Sequence, residues 1–280
     1  MSYNLKKNKL ILYNIIKFIL LIFAFVLFIG PFVILVINSF KTNNEILESP
    51  INLPKTLNFE NYTEAFEKMK FLSGFLNSLL ITVISVVIIV FFSSMAAYLF
   101  VRKNWKVNRY IFLIMVASMI IPFQSIMIPL VKIYGDLELL NNQFTLIFMY
   151  IGFGASLAIF IFHGFIKSIP IELEEAALLD GCTVLQTYFK IVFPLLKPTT
   201  ITILLLDILW IWNDFLLPNL VLLEADKRTL PLSTFYFFGA YTVDYNLLLA
   251  GLMMSILPVL IVYLFMQKQI IHGIVQGAIK

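Results

Sequence analysis

A chain of 280 residues that is 61% hydrophobic and 13% charged, with 28 phenylalanines and a mean hydropathy of +0.95, is not a water-soluble domain but a polytopic membrane protein. The net charge of +4 is scattered and forms no basic cluster interleaved with aromatics, which excludes nucleic acid as a partner. One cysteine excludes an intrachain disulfide, and His163 and His272 lie on different segments, so no metal site can be assembled.

Six windows are apolar enough to cross about 30 Å of hydrocarbon as helices, each needing roughly 20 residues. They lie at 18–37, 76–100, 111–131, 144–166, 201–222 and 247–266. The basic segment before the first window invites a signal-peptide reading. The apolar run is too long for that, and Asn38-Ser39-Phe40-Lys41 offers no small-residue cleavage site, so the window is expected to remain a span. Residues 41–70, with Pro50, Pro54 and Asn58-Phe59-Glu60-Asn61-Tyr62, read as a loop outside the membrane.

The second window opens on Asn77-Ser78, polar groups that in hydrocarbon seek a partner on a neighbouring helix or meet solute. Ser93, Ser94, Ala96 and Ala97 let helices approach closely, and the basic run from Arg102 to Arg109 reads as a solvated turn beside anionic lipid. In the third window Pro122 and Pro129 remove backbone bonds, so this span is expected to be kinked or broken, with Gln124 beside a pathway or in helix packing. Asn141-Asn142 make an external turn, and Gly152 and Gly154 suit close packing in the fourth window.

A polar island follows. Pro170 suits a first helical turn, and Glu172, Glu174 and Glu175 complement the positive end of a helix that Gly181 closes with a left-handed cap. Thr183 with Gln186 makes a capping box for a second helix running toward Pro194, so the island is a helix-turn-helix knob. An amphipathic helix on the lipid surface is the alternative, but such helices are usually basic and this one is acidic. Asp207 and Asp214 lie within the fifth window, seven residues apart, which on an unbroken helix puts both on one face turned from lipid. With the N-terminus inside, thirteen basic residues fall on the cytoplasmic side and seven outside, which puts the knob and both termini in the cytoplasm. Cys182 is then a reduced thiol and a small space-filler.

Glu175-Ala176-Ala177, Gly181, Ile191 and Pro194 fall in the register of the cytoplasmic signature of ABC importer permeases, with Phe193 in place of the usual Leu. Trp212-Asn213-Asp214-Phe215 with Pro218 resembles a segment of sugar-importer permeases, and the external stretches 41–70 and 224–244 and the tail around Gly273 and Gly277 are similar to that family as well. The chain therefore resembles the permease subunit of a binding-protein-dependent ABC importer of the carbohydrate-uptake type. The resemblance implies an all-α polytopic membrane protein with six transmembrane helices in the ABC type I importer permease fold. It divides the chain into an N-terminal segment, first span and external loop (1–72), a transmembrane core (73–270) with a cytoplasmic coupling loop (167–198), and a cytoplasmic tail (271–280).

In the family the knob docks on an ATP-hydrolysing subunit. Glu175, Ala176, Ala177, Asp180, Gly181, Ile191 and Pro194 are thereby expected to carry ATPase coupling, and Asn77, Gln124, Asn213 and Asp214 to line the pathway or a subunit interface. The implied partners are an ATP-binding subunit dimer, a second permease that is a homologue or a copy, an extracytoplasmic solute-binding protein and membrane lipid. The chain is expected to be a multi-pass protein of a prokaryotic cell membrane and no enzyme itself. ATP and Mg would sit on the partner ATPase, and no cofactor on this chain, which has no Gly-rich run ending Gly-Lys-Ser/Thr. Sugar, oligosaccharide and glycerol-phosphate permeases share these motifs. Two other classes remain. An ion-coupled secondary transporter could use Asp207 and Asp214 but needs inverted repeats, and a membrane hydrolase needs a partner for His163.

Overall fold

The computed structural model describes residues 2–239 and 242–278, which are helical apart from turns and one isolated bridge between Phe238 and Val243. The chain divides into two compact units, Met1–Met69 with Thr234–Met254, and Lys70–Ser233 with Ser255–Lys280.

In the first unit α1 (Ser2–Ser39) is apolar all round and exposes most side chains from Tyr13 to Val36, as a lipid-facing span does. The segment after it is not a solvated loop. Thr42 and Glu45 form a capping box that starts α2 (Asn43–Glu48), and α3 (Glu60–Lys68) follows. Asn61 is buried and donates to the carbonyls of Ser39 at 2.9 Å and Lys41 at 2.8 Å, while the hydroxyls of Ser39 and Tyr62 lie 2.6 Å apart. The ring of Phe40 packs at about 5 Å on Phe59 and Tyr62. Polar residues read as loop thus satisfy the frayed end of α1.

The second unit is built on α4 (Phe71–Arg102). Its buried residues, Gly74, Ser78, Ile81, Thr82, Ser85, Val86, Ile89, Val90, Ser93, Ser94 and Ala97, recur every three to four positions and form one stripe of mostly small side chains. Two short helices come next, α5 (Lys106–Ser118) and α6 (Phe123–Asp136), which meet at 103° where Pro122 breaks the third window. Pro129 sits inside α6 without ending it. Then α7 (Gln143–Ile166) packs along α4, burying Leu146, Tyr150, Phe162 and Ile166. Gly154 permits the approach, since a Cβ there would lie 2.7 Å from Ile89 Cδ1; Gly152 faces open space and is no packing glycine.

The knob holds α8 (Glu172–Leu179), α9 (Val184–Thr187), a π-helical turn (Tyr188–Val192) and α10 (Phe193–Leu195). The fifth window is shorter than its composition suggests. Its helix, α11 (Lys197–Asn213), stops at Asp214, whose backbone is extended, and α12 (Leu216–Val221) starts anew. The expectation that Asp207 and Asp214 share one helical face therefore fails. A short α13 (Leu230–Ser233) follows, and α14 (Tyr245–Ala278) carries Pro258 inside it. Among the described residues four helices are long and apolar enough to cross a membrane, or up to six if each bent pair is one span.

Candidate functional site

The knob is two helices held at fixed angle. Gly181, at φ +86°, takes the left-handed conformation that L side chains resist, and Cys182 N–H reaches back to the Ala177 carbonyl at 3.0 Å. The Thr183 and Gln186 capping box is present in both directions, at 3.3 and 2.8 Å. Three glutamates crowd the first turn of α8, and they do different things.

Glu174 is buried, with Tyr98 Oη donating to Oε2 at 2.8 Å and Arg102 Nε to Oε1 at 2.8 Å. Arg102 also donates to the Ile166 carbonyl at the end of α7 and to the Ile169 carbonyl in the linker. Arg102 is thus no member of a solvated basic turn: its side chain is 14% exposed and Glu174's 5%. Removing one partner of such a pair leaves a buried charge and costs roughly 3–5 kcal/mol. Lower on the knob, buried Tyr188 donates to Ser94 Oγ at 2.7 Å, and its ring packs tilted against Tyr98 with centroids 5.1 Å apart.

The remaining signature residues look outward. Glu175, Ala176, Asp180, Gly181 and Pro194 are exposed, Ile191 and Cys182 are half-buried, and Ala177 faces inward. Leu179 is 88% and Leu185 60% exposed, an apolar surface on a cytoplasmic-type loop. Sequence reasoning found this outer face and missed the inner one. Ala177 lies three residues after Glu174, and that spacing was the one available sign that Glu174 points inward.

The residues expected along a pathway do not converge. Asn77 donates to the carbonyls of Asp226 and Arg228 at 2.8 and 3.0 Å, so it ties α4 to the outer loop rather than to another span. Asn213 is exposed and folds back to the Leu209 carbonyl at 2.7 Å, and Gln124 is exposed on α6. Asp214 accepts from Tyr150 Oη at 2.9 Å and from the N–H of Leu216, the first residue of α12, at 3.0 Å, which links α12 to α7. Asp207 is buried, and its Oδ2 has no hydrogen-bond partner among the described residues. His163 stacks on Phe112 at 3.9 Å. A cavity of about 500 Å³ lies against the break of the third span, lined among others by Ser118, Phe123, Tyr134, Gly152, Phe153 and Ser156.

Residues 89–271 match the family described as the binding-protein-dependent transport system inner membrane component. This chain belongs to that family. It is 48% identical over 254 residues to the "Probable starch degradation products transport system permease protein AmyC" of Thermoanaerobacterium thermosulfurigenes, covering 91% of this chain and 92% of that protein. With the melibiose/raffinose/stachyose import permease protein MelC of Bacillus subtilis it shares 36% over 251 residues, 89% of this chain and 91% of MelC. A chain of a bacterial ABC transporter involved in the import of the acidic polysaccharide alginate superposes with a TM-score of 0.80 at 26% identity, over 92% of this chain and 96% of that one. The fold is therefore that of an ABC importer permease, and the protein is a membrane-spanning transport subunit of a binding-protein-dependent system. The ion-coupled alternative has no support in these similarities, and the two acids it would pair are separated by the break at Asp214.

Proposed function

We propose that this permease, with a second permease subunit, lines the route by which a sugar or oligosaccharide enters the cell, delivered by an external binding protein and driven by ATP hydrolysis on a separate subunit dimer. The printed names of its relatives, which handle starch degradation products and melibiose, raffinose and stachyose, support the solute class. The observation that carries the coupling role is the division of the knob: Glu174 and Tyr188 root it in α4 while Glu175, Asp180, Gly181 and the leucines beside them are left outward for a partner. Both termini then lie in the cytoplasm, a reading that the distribution of basic residues supports. ATP and Mg belong to the ATPase partner, and this chain only transmits its closure.

The experiment is to purify the complex carrying Gly181→Val or Glu175→Lys and to measure retained ATPase, binding-protein-stimulated hydrolysis and sugar uptake. A bulky residue at φ +86° costs roughly 1–2 kcal/mol and re-aims the knob, and a lysine inverts the charge offered to the partner. Both variants should lose ATPase or uncouple hydrolysis from uptake. Wild-type values for all three quantities would remove the knob from the mechanism.

A further inference from the structure

The knob meets α4 along a single stripe: Ser94, Tyr98 and Arg102 are spaced by four residues and so lie one above another on one helical face. Ser94 receives Tyr188, and Tyr98 and Arg102 both hold Glu174. Arg102 does more than balance a charge, because its guanidinium also binds the carbonyls of Ile166, the last residue of α7, and of Ile169, within the linker through which α7 passes into the knob. Its planar fork thereby fixes three elements against one another: the end of α4, the end of α7 and the first turn of α8. Little water reaches the pair, so its strength depends weakly on salt.

We infer that Glu174 and Arg102, braced by Tyr98, are positioning residues that make the knob and the cytoplasmic ends of the second and fourth spans move as one body, so that displacement of the knob becomes displacement of the spans. This rests on the importer reading above and concerns a different step from docking. Glu175 presents the knob to the ATPase, and Glu174 passes the motion inward. Without the brace the linker from Lys167 to Ile171 is free to bend, and the ATPase can close on the knob while the spans stay behind.

The test uses the complete transporter in proteoliposomes with its binding protein, and reads ATPase retained, ATP hydrolysed and sugar imported per ATP. Glu174→Gln and Arg102→Gln should retain the ATPase and its stimulated hydrolysis, yet import at least about five-fold less sugar per ATP, the lower end of ordinary coupling between sites. Arg102→Lys, which keeps the charge and donors but not the planar fork, should recover part of the ratio, which Arg102→Gln should not. Tyr98→Phe, which keeps the ion pair and removes one donor, should give an intermediate ratio and serves where the single charge variants fail to assemble. An unchanged ratio in these variants, or uptake reduced only in proportion to the complex recovered, overturns the inference and leaves the importer reading standing. An unmodified permease that retains no ATPase overturns that reading, and the inference with it.

Discussion

Asp214 and Asp207 are both carboxyls in an apolar segment, and the structure gives them opposite positions. Asp214 ends one helix, starts the next and takes a hydroxyl from Tyr150, so Asp214→Leu should strand two donors at about 1–3 kcal/mol each, while Asp214→Asn keeps an acceptor and costs less. Thermal unfolding of the purified protein checks the order; equal midpoints for both variants would show that these bonds contribute nothing. Asp207 is buried with an oxygen that finds no hydrogen-bond partner among the described residues, and a carboxyl inside a membrane protein is expensive to keep. Asp207→Asn should hold or raise the unfolding midpoint while uptake falls, and a lowered midpoint with normal uptake would make the residue structural. The motif Trp212-Asn213-Asp214-Phe215 was legible, but its geometry was not. A seven-residue spacing implies a common face only if the helix is continuous, and the hydroxyl that Asp214 takes at the break comes from Tyr150, 64 positions away.

At the scale of elements, what the chain writes locally was readable. Pro122 breaks the third span, Gly181 closes α8, and Thr183 with Gln186 opens α9, because each acts through its own backbone or a neighbour three residues off. The cavity beside the break was not readable, since Gly152 looks in sequence like Gly154 and only the packed helices tell a lining position from a contact. A Cβ at Gly152 meets no atom within 4 Å, so Gly152→Leu should fill that space, lowering uptake while stability and ATPase retention stay as they were; unchanged uptake would place the solute route elsewhere. The outer loop after α12 is held by Asn141, at φ +58°, whose Oδ1 accepts from the amides of Leu223 and Glu224 and whose Nδ2 donates to the Glu224 carboxylate at 2.6 Å. Hydrogen bonds from Lys227, then Asn141, hold the Glu224 carboxyl below the ordinary carboxylate range. Its contribution is therefore complete above about pH 4.3 and disappears as pH falls through the depressed value. Asn141→Ala should make the loop around residues 222–228 more sensitive to protease at neutral pH than the unmodified loop, and equal cleavage of both would dismiss the clamp.

Across the whole molecule the bias of basic residues predicts the topology, because lysine and arginine near the ends of spans resist crossing the bilayer and the signal sums over the short loops. The folded segment between the first two spans carried no such additive signal: Asn61 is an ordinary loop residue until Ser39 and Lys41 are brought to it. That segment and the knob should lie on opposite sides of the membrane, and substituted cysteines in a Cys182→Ser background decide it. Asn44 and Ala225 are exposed, and Ala225 bonds only through its backbone, accepting from the Arg228 N–H, unlike Asn43, whose side chain accepts from Tyr245. Leu179 is the better reporter for the knob, being 88% exposed where Cys182 is half-buried and could escape labelling on either side. An impermeant thiol reagent added to intact cells should label Asn44→Cys and Ala225→Cys and miss Leu179→Cys, which should react once the membrane is opened. Labelling of Leu179→Cys in intact cells would put the knob outside, where no ATP-hydrolysing partner could reach it, and would overturn the coupling role together with the orientation.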